Sequence, residues 1–216
     1  MNFTIEKALH GGFNAAKDNY ITIWVNGFLA GFASLLAAIT IVGILIIPAI
    51  WGGYIESLLR IRRGEDVKIG SFFKAGFKHW GSLFILFFLS FLALMFGFLL
   101  LIVPGIYLMI AWYFILYVKL DNPELTSFEV FGKSKALVSN IGWWNVFLLY
   151  LILSIPLALI DTFTLNLASV AFFPFLSMIQ LEAYYLSLKE IENTKELLAS
   201  ESVNMEAEKY VRSDQN

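Results

Sequence analysis

The chain contains no cysteine. Disulfides, thiolate nucleophiles and thiolate metal sites are therefore excluded. Its two histidines, His10 and His79, lie far apart, which leaves nothing for a histidine-based metal centre. Charge is scarce as well. Asp, Glu, Lys and Arg make up 15% of the residues, against about 25% in a soluble domain, so a large part of the surface must face something other than water. Catalytic fingerprints are missing: there is no GxSxG, P-loop, HExxH or GxGxxG pattern. Enzymes that act on lipids need a general base or a metal cluster in a wet site, and this chain offers little to build one. No cofactor, metal or nucleic-acid partner is expected, and a lipid-modifying enzyme is the reading with least support.

What is present is apolar sequence in long runs. They cover residues 21–50, 81–118 and 141–160, each beyond the roughly 18 residues that mark a membrane helix. The fold class expected is all-α: a polytopic membrane protein with six transmembrane helices arranged as three hairpins at about 21–62, 81–119 and 141–188. Residues 21–61 would extend about 60 Å as helix, enough for two crossings of a hydrocarbon core of about 30 Å. The outer turn of this first hairpin is expected between Thr40 and Pro48, near Gly43 or at the proline. The long first run, with an amphipathic stretch before it, does not read as a cleaved signal peptide.

Each hairpin follows an amphipathic segment, at about 4–17, 66–80 and 124–139, expected to lie in the cytosolic interface. In the first, Thr4 is a suitable N-cap, and Ile5, Ala8, Leu9, Gly12 and Ala16 share one face. In the second, Ile69, Phe72, Phe73, Phe77 and Trp80 recur at helical spacing opposite Lys74 and Lys78. In the third, Thr126 and Glu129 have capping-box spacing, and Glu129–Lys133 is an i,i+4 pair. Residues 1–188 hold 11 Lys/Arg and 10 Asp/Glu, whereas 189–216 hold 4 and 7. The tail 189–216 is thus acidic; it is expected to extend the last helix to Leu198 and then to be largely disordered.

Charge sets the orientation. Residues 60–78 carry Arg60, Arg62, Arg63, Lys68, Lys74 and Lys78 against Glu65 and Asp66, and short basic loops stay cytoplasmic. On this arrangement both termini are cytosolic and Asp161 is the only charge left outside. The three units also share a layout. Each has a small residue within its amphipathic segment (Gly12, Gly76, Ser134), then a tryptophan (Trp24, Trp80, Trp143/Trp144). Two apolar residues and a proline follow (Pro48, Pro104, Pro174), then a basic residue (Arg60, Lys119, Lys189). The prolines are expected as structural helix breaks. Interfacial tryptophan and membrane proline are generic, so such likeness also arises without a true repeat.

The landmarks Arg63-Gly64-Glu65, Phe73–Phe77 (FKAGF), Val103–Leu108 (VPGIYL) and Ser134–Trp144 (SKALVSNIGWW) resemble those of a broad bacterial family. It comprises multi-pass membrane proteins of unknown function, similar to the membrane domain attached to some glycerophosphodiester phosphodiesterases. The resemblance covers about residues 5–188 and implies six helices in the bacterial cytoplasmic (inner) membrane. It implies no phosphodiesterase activity, because the catalytic domain is not in this sequence.

Two intramembrane carboxylates, Glu56 and Glu182, each stand eight positions after a unit's proline. With Gln180 they form a candidate polar site for a cation or proton if they face inward. The competing reading pairs Glu56 with Arg60 and lets Glu182 reach the cytosolic interface. Arg60, Arg62, Arg63, Lys68, Lys74 and Lys78 are candidate contacts for anionic lipid headgroups. Asn26, Asn145 and Asn166 are expected to link helices, and Gly27 with Gly31 forms a weak GxxxG packing signal. The function expected is non-enzymatic organisation of membrane lipid, anionic above all, or of a membrane-protein partner. The alternative is a transporter or channel for a small solute or ion, using the carboxylate site.

Overall fold

The computed structural model describes residues 3–164 and 167–213. Among these the chain forms ten helices and no strand: α1 (Ile5–Asp18), α2 (Tyr20–Ala38), α3 (Ile41–Arg62), α4 (Phe72–Lys78), α5 (Trp80–Leu100), α6 (Ile102–Ala111), α7 (Ile115–Asp121), α8 (Ser127–Ile141), α9 (Trp143–Thr164) and α10 (Leu167–Ser213). Five stretches are long and apolar enough to cross a membrane: Tyr20–Ala38, Val42–Arg62, Trp80–Leu100, Ile102–Asp121 and Trp143–Thr164. A sixth apolar stretch opens α10. The protein is helical and membrane-embedded.

Local sequence accounts for the boundaries. Thr4 and Thr40 cap α1 and α3 by accepting hydrogen bonds from the Lys7 and Gly43 amides. Thr126 forms a capping box with Glu129, and those hydrogen bonds hold the exposed Glu129 carboxyl below the usual carboxylate range. Lys133 does not pair with Glu129; its ammonium donates to Asn122. The cap at Thr40 fixes the first outer turn at Ile39-Thr40, earlier than Gly43 or Pro48.

The prolines interrupt the helices at none of the three expected places. α3 and α10 run through Pro48 and Pro174, and Pro104 sits in the first turn of α6, where no helical hydrogen bond is lost. The interruption in that return segment comes at Trp112–Phe114, between α6 and α7. There the Ser134 hydroxyl enters the backbone, donating to the Ala111 carbonyl and accepting from the Phe114 amide, a recognised cause of a helix break. α9 also runs through a proline, Pro156. The tail also departs from expectation. α10 continues to Ser213 instead of fraying after Leu198, because no glycine or proline follows Pro174 and Glu, Lys, Ala and Leu are frequent.

The amphipathic segments pack on other helices. α1 runs antiparallel along α10: the Phe3 amide donates to Glu190, Gly12 abuts Ile179, and Phe13 stacks on Phe175 at 4.7 Å. Ala8, Gly12 and Ala16 are buried in that seam, so the apolar face of α1 is spent on protein. α4 packs on α3 in the same way, with Gly76 against Ala49 and Gly53. α8 packs on α6 and α7 through Ser134. Each leading helix thus docks on the return helix of the unit before it, and α1 docks on the return helix of the last unit. The three units close into a ring.

Tryptophans repeat the same order. Trp80 Nε1 donates to the Leu45 carbonyl of α3, Trp143 Nε1 to Tyr107 of α6, and Trp24 Nε1 to Val170 of α10, at 2.9, 3.4 and 2.9 Å. Val170 is four residues before Pro174, so its carbonyl has no helical N–H to accept from. The Trp24 indole fills that vacancy, and the Tyr20 hydroxyl serves the neighbouring Ala171 carbonyl. On each outgoing helix the tryptophan stacks on a phenylalanine one turn on: Trp24–Phe28, Trp80–Phe84 and Trp143–Phe147. Burial sorts the ring into shells. In the apolar windows of α2, α5 and α9, 28%, 22% and 11% of residues are buried, against 61% in α3. The outgoing helices therefore form the rim, with α3 inside.

The docking rests on missing side chains. A Cβ on Gly76 would land on the Ala49 carbonyl oxygen, and one on Gly53 on the Phe72 carbonyl oxygen. Neither backbone can give way. Alanine gains about 1 kcal/mol of helix propensity over glycine, but overpacking costs about 1–3 kcal/mol, and a clash with backbone belongs at the upper end. Gly76→Ala is expected to lower the unfolding temperature in detergent. Gly81→Ala, where a Cβ meets open space, is expected to leave it unchanged or raise it.

Candidate functional site

At one end of the molecule three return helices are tied into a triangle. Arg62, at the end of α3, grips Glu182 of α10 with two hydrogen bonds of 2.8 and 3.2 Å, its guanidinium resting over the Tyr185 ring. Arg63 pairs with Asp121 at the end of α7. The Tyr184 hydroxyl of α10 closes the figure by donating to Asp121 at 2.9 Å. Lys119 is also fixed inside the structure, its ammonium donating to the Pro123 and Leu125 carbonyls at 2.8 and 2.6 Å.

This triangle decides where the expected intramembrane polar site goes. Glu182 is 13% exposed and neutralised by Arg62. Glu56 does not pair with Arg60, which takes Glu65 instead at 2.7 Å; one Glu56 carboxylate oxygen is buried without a partner. Gln180 lines a chamber whose walls include neither carboxylate. Among the described residues no cluster of His, Asp or Glu could hold a metal ion.

The six basic residues divide. Arg60, Arg62 and Arg63 are consumed in ion pairs. Lys68, Lys74 and Lys78 are exposed, and no acidic partner faces them among the described residues. Beside them Ile69, Phe77 and Trp80 are exposed too, at 55%, 49% and 41%. The remaining polar positions are structural. Asn26 is fully buried and its carbonyl accepts from the Gly70 amide at 2.9 Å. Asn145, in α9, donates to the Ile141 carbonyl at the end of α8 at 2.6 Å, linking the two helices across Gly142. Asn166 lies outside the described residues. Asp161 accepts from the Ser169 amide and hydroxyl, tying α9 to α10. Gly27 lets the Phe173 ring approach closely, whereas Gly31 faces open space.

Sequence reasoning missed two cavities. The chamber, a half-open groove of about 410 Å³, is lined by Ile47, Trp51, Tyr54 and Ile55 of α3, Leu116 and Tyr117 of α7, Phe173, Leu176, Ser177 and Gln180 of α10, and Phe87 of α5. Within it the Tyr54 and Ser177 hydroxyls are 2.8 Å apart. Tyr117 is 3% exposed, yet its hydroxyl has no partner, an omission that costs about 1–3 kcal/mol. The second cavity, of about 370 Å³, is a crevice between α2 and α10 lined from Trp24 to Leu35 and by Ser169, Val170 and Phe173. Trp51 and Phe173 belong to both. The available signal was two tyrosines, Tyr54 and Tyr117, on two return helices, but single tyrosines in apolar runs are unremarkable.

Comparison with protein-family models, with curated proteins and with solved structures finds no match to this chain.

The Arg62–Glu182 pair is half-shielded, so losing either partner strands a charge. Arg62→Ala and Glu182→Ala are each expected to cost about 1–3 kcal/mol, between the exposed and buried limits. The double variant is expected to cost less than the sum, as a double-mutant cycle of unfolding in detergent will read.

Proposed function

We propose that this chain is a non-enzymatic protein of a bacterial cytoplasmic membrane that organises anionic lipid through a cationic inner face. Apolar-run length and charge placement support six crossings of the bilayer as three hairpins with both termini in the cytosol, and the resemblance to the multi-pass family implies the six helices and the inner membrane. The observation that carries the reading is the set Lys68, Lys74 and Lys78, exposed without acidic partners among the described residues and beside exposed Ile69, Phe77 and Trp80. Cations next to aromatic and aliphatic side chains suit the headgroup region, where each cation contributes about 1 kcal/mol toward an anionic surface. Arg60, Arg62 and Arg63, being internally paired, take little part.

The alternative, an ion or small-solute pathway through Glu56, Gln180 and Glu182, has weaker support. Glu182 is already neutralised by Arg62, and the chamber at Gln180 has no carboxylate.

Two measurements test the proposal. Reversing Lys74 and Lys78 to Glu is expected to lower the ratio of anionic to zwitterionic lipid retained on purification by about tenfold or more, from the loss of at least two such contributions. An unchanged ratio removes the reading. The absence of cysteine makes orientation directly accessible: Lys74→Cys and Lys135→Cys are expected to react with an impermeant maleimide only from the cytosolic side, and labelling from outside overturns the topology.

A further inference from the structure

Lys74 and Lys78 stand one turn apart on α4, on the side away from the seam that buries Phe72 and Gly76 against α3. Their Cβ atoms are therefore about 6 Å apart. The seam is backbone against backbone, Gly76 on Ala49 and Gly53, so the two lysine positions are held fixed. The approach to α4 is anchored as well: the Gly70 amide donates to Asn26, and Ser71 donates to the Lys68 carbonyl through both its amide and its hydroxyl. Like charges four residues apart repel in a helix, and no described residue offsets this pair. Among the described residues Glu65 is taken by Arg60, Asp66 makes no ion pair, and the Lys74 and Lys78 side chains make no hydrogen bond. Exposed Phe77 lies between the two lysines in sequence, and exposed Trp80 follows them.

We propose that Lys74 and Lys78 together bind one lipid that carries two phosphates in a single head, a diphosphatidylglycerol, in preference to lipids with one phosphate each. The inference rests on the headgroup reading above and names its ligand. Two phosphates joined through one glycerol arrive as a unit. Once the first meets an ammonium, the second is presented to the other lysine at high effective concentration. The flexible four-carbon stems of the lysines adjust to the separation of the phosphates. A single-phosphate head satisfies one lysine and leaves the other uncompensated. Phe77 and Trp80 supply aromatic surface beside the cations, which suits the level at which heads and acyl chains meet.

The test is native mass spectrometry of the full chain in a neutral detergent, titrated separately with tetraoleoyl diphosphatidylglycerol, dioleoyl phosphatidylglycerol and dioleoyl phosphatidylcholine. One diphosphatidylglycerol per chain is expected to bind about fivefold or more tightly than phosphatidylglycerol, the equivalent of one further cation contact of about 1 kcal/mol. Lys74→Gln and Lys78→Gln are each expected to weaken diphosphatidylglycerol about fivefold. Each is expected to weaken phosphatidylglycerol by about twofold at most, because either lysine alone holds a single phosphate. Both positions are exposed, so the variants fold, which an unchanged unfolding temperature checks. Lys135→Gln, exposed on α8, is expected to change the affinity for neither lipid. The inference is overturned by equal affinity for the two anionic lipids at equal phosphate, by equal losses for both lipids in the single variants, or by the same fivefold loss in Lys135→Gln. A preference for both anionic lipids over phosphatidylcholine that survives any of these results leaves the headgroup reading standing; its absence removes both.

Discussion

The architecture depends on one contact made three times: a leading helix laid against the preceding unit's return helix, close enough that a side chain in the seam is excluded or put to use. In a membrane, apolar side chains gain little by leaving lipid for protein, so association relies on close packing and hydrogen bonds. Small residues serve this need. Gly76 meets Gly53 backbone to backbone and Gly12 meets Ile179. Ser134 goes further, replacing backbone partners at a helix break. The indoles of Trp24, Trp80 and Trp143 add a second fastening at each joint.

The ring leaves a distinct centre. Its walls come from α3, α7 and α10, helped by α5, and at one end the Arg62–Glu182, Arg63–Asp121 and Tyr184–Asp121 links hold the three return helices together. Internal pairing explains why basic residues close in sequence have different fates. The arginines at the end of α3 meet acids from two other helices, whereas the lysines around α4 meet none among the described residues. Spacing along the chain carries no trace of that division.

Much of the outline was legible in the amino acids. Apolar run length gave the helical membrane class, and the small residues and tryptophans that share an order along the chain are those found at the helix joints. The Thr126–Glu129 box was readable because capping is local. What sequence alone misjudged was the destination of each apolar face. Ala8, Gly12 and Ala16 look like a membrane-facing stripe, and only the ring reveals that α10 covers them. Periodicity states that a face is apolar, not what will cover it. The same blindness hid the Trp–Phe ladders, whose four-residue spacing was visible but unremarkable, and the chamber, whose tyrosines are brought together only by long-range packing. Glu56 and Glu182 show the converse: equal distance from a proline did not give equal surroundings.

Ring closure has a consequence for biogenesis. α1 is made before α2–α9 and its partner α10 after them, so the seam lined by Ala8, Gly12 and Ala16 stays open while those helices are synthesised. The two inner joints involve neighbours in the chain and form as each segment emerges, but the final joint links the extremes and carries the largest loop-closure cost. Until then the first helix needs a temporary home, and the lipid–water boundary, to which its amphipathic pattern is suited, provides one.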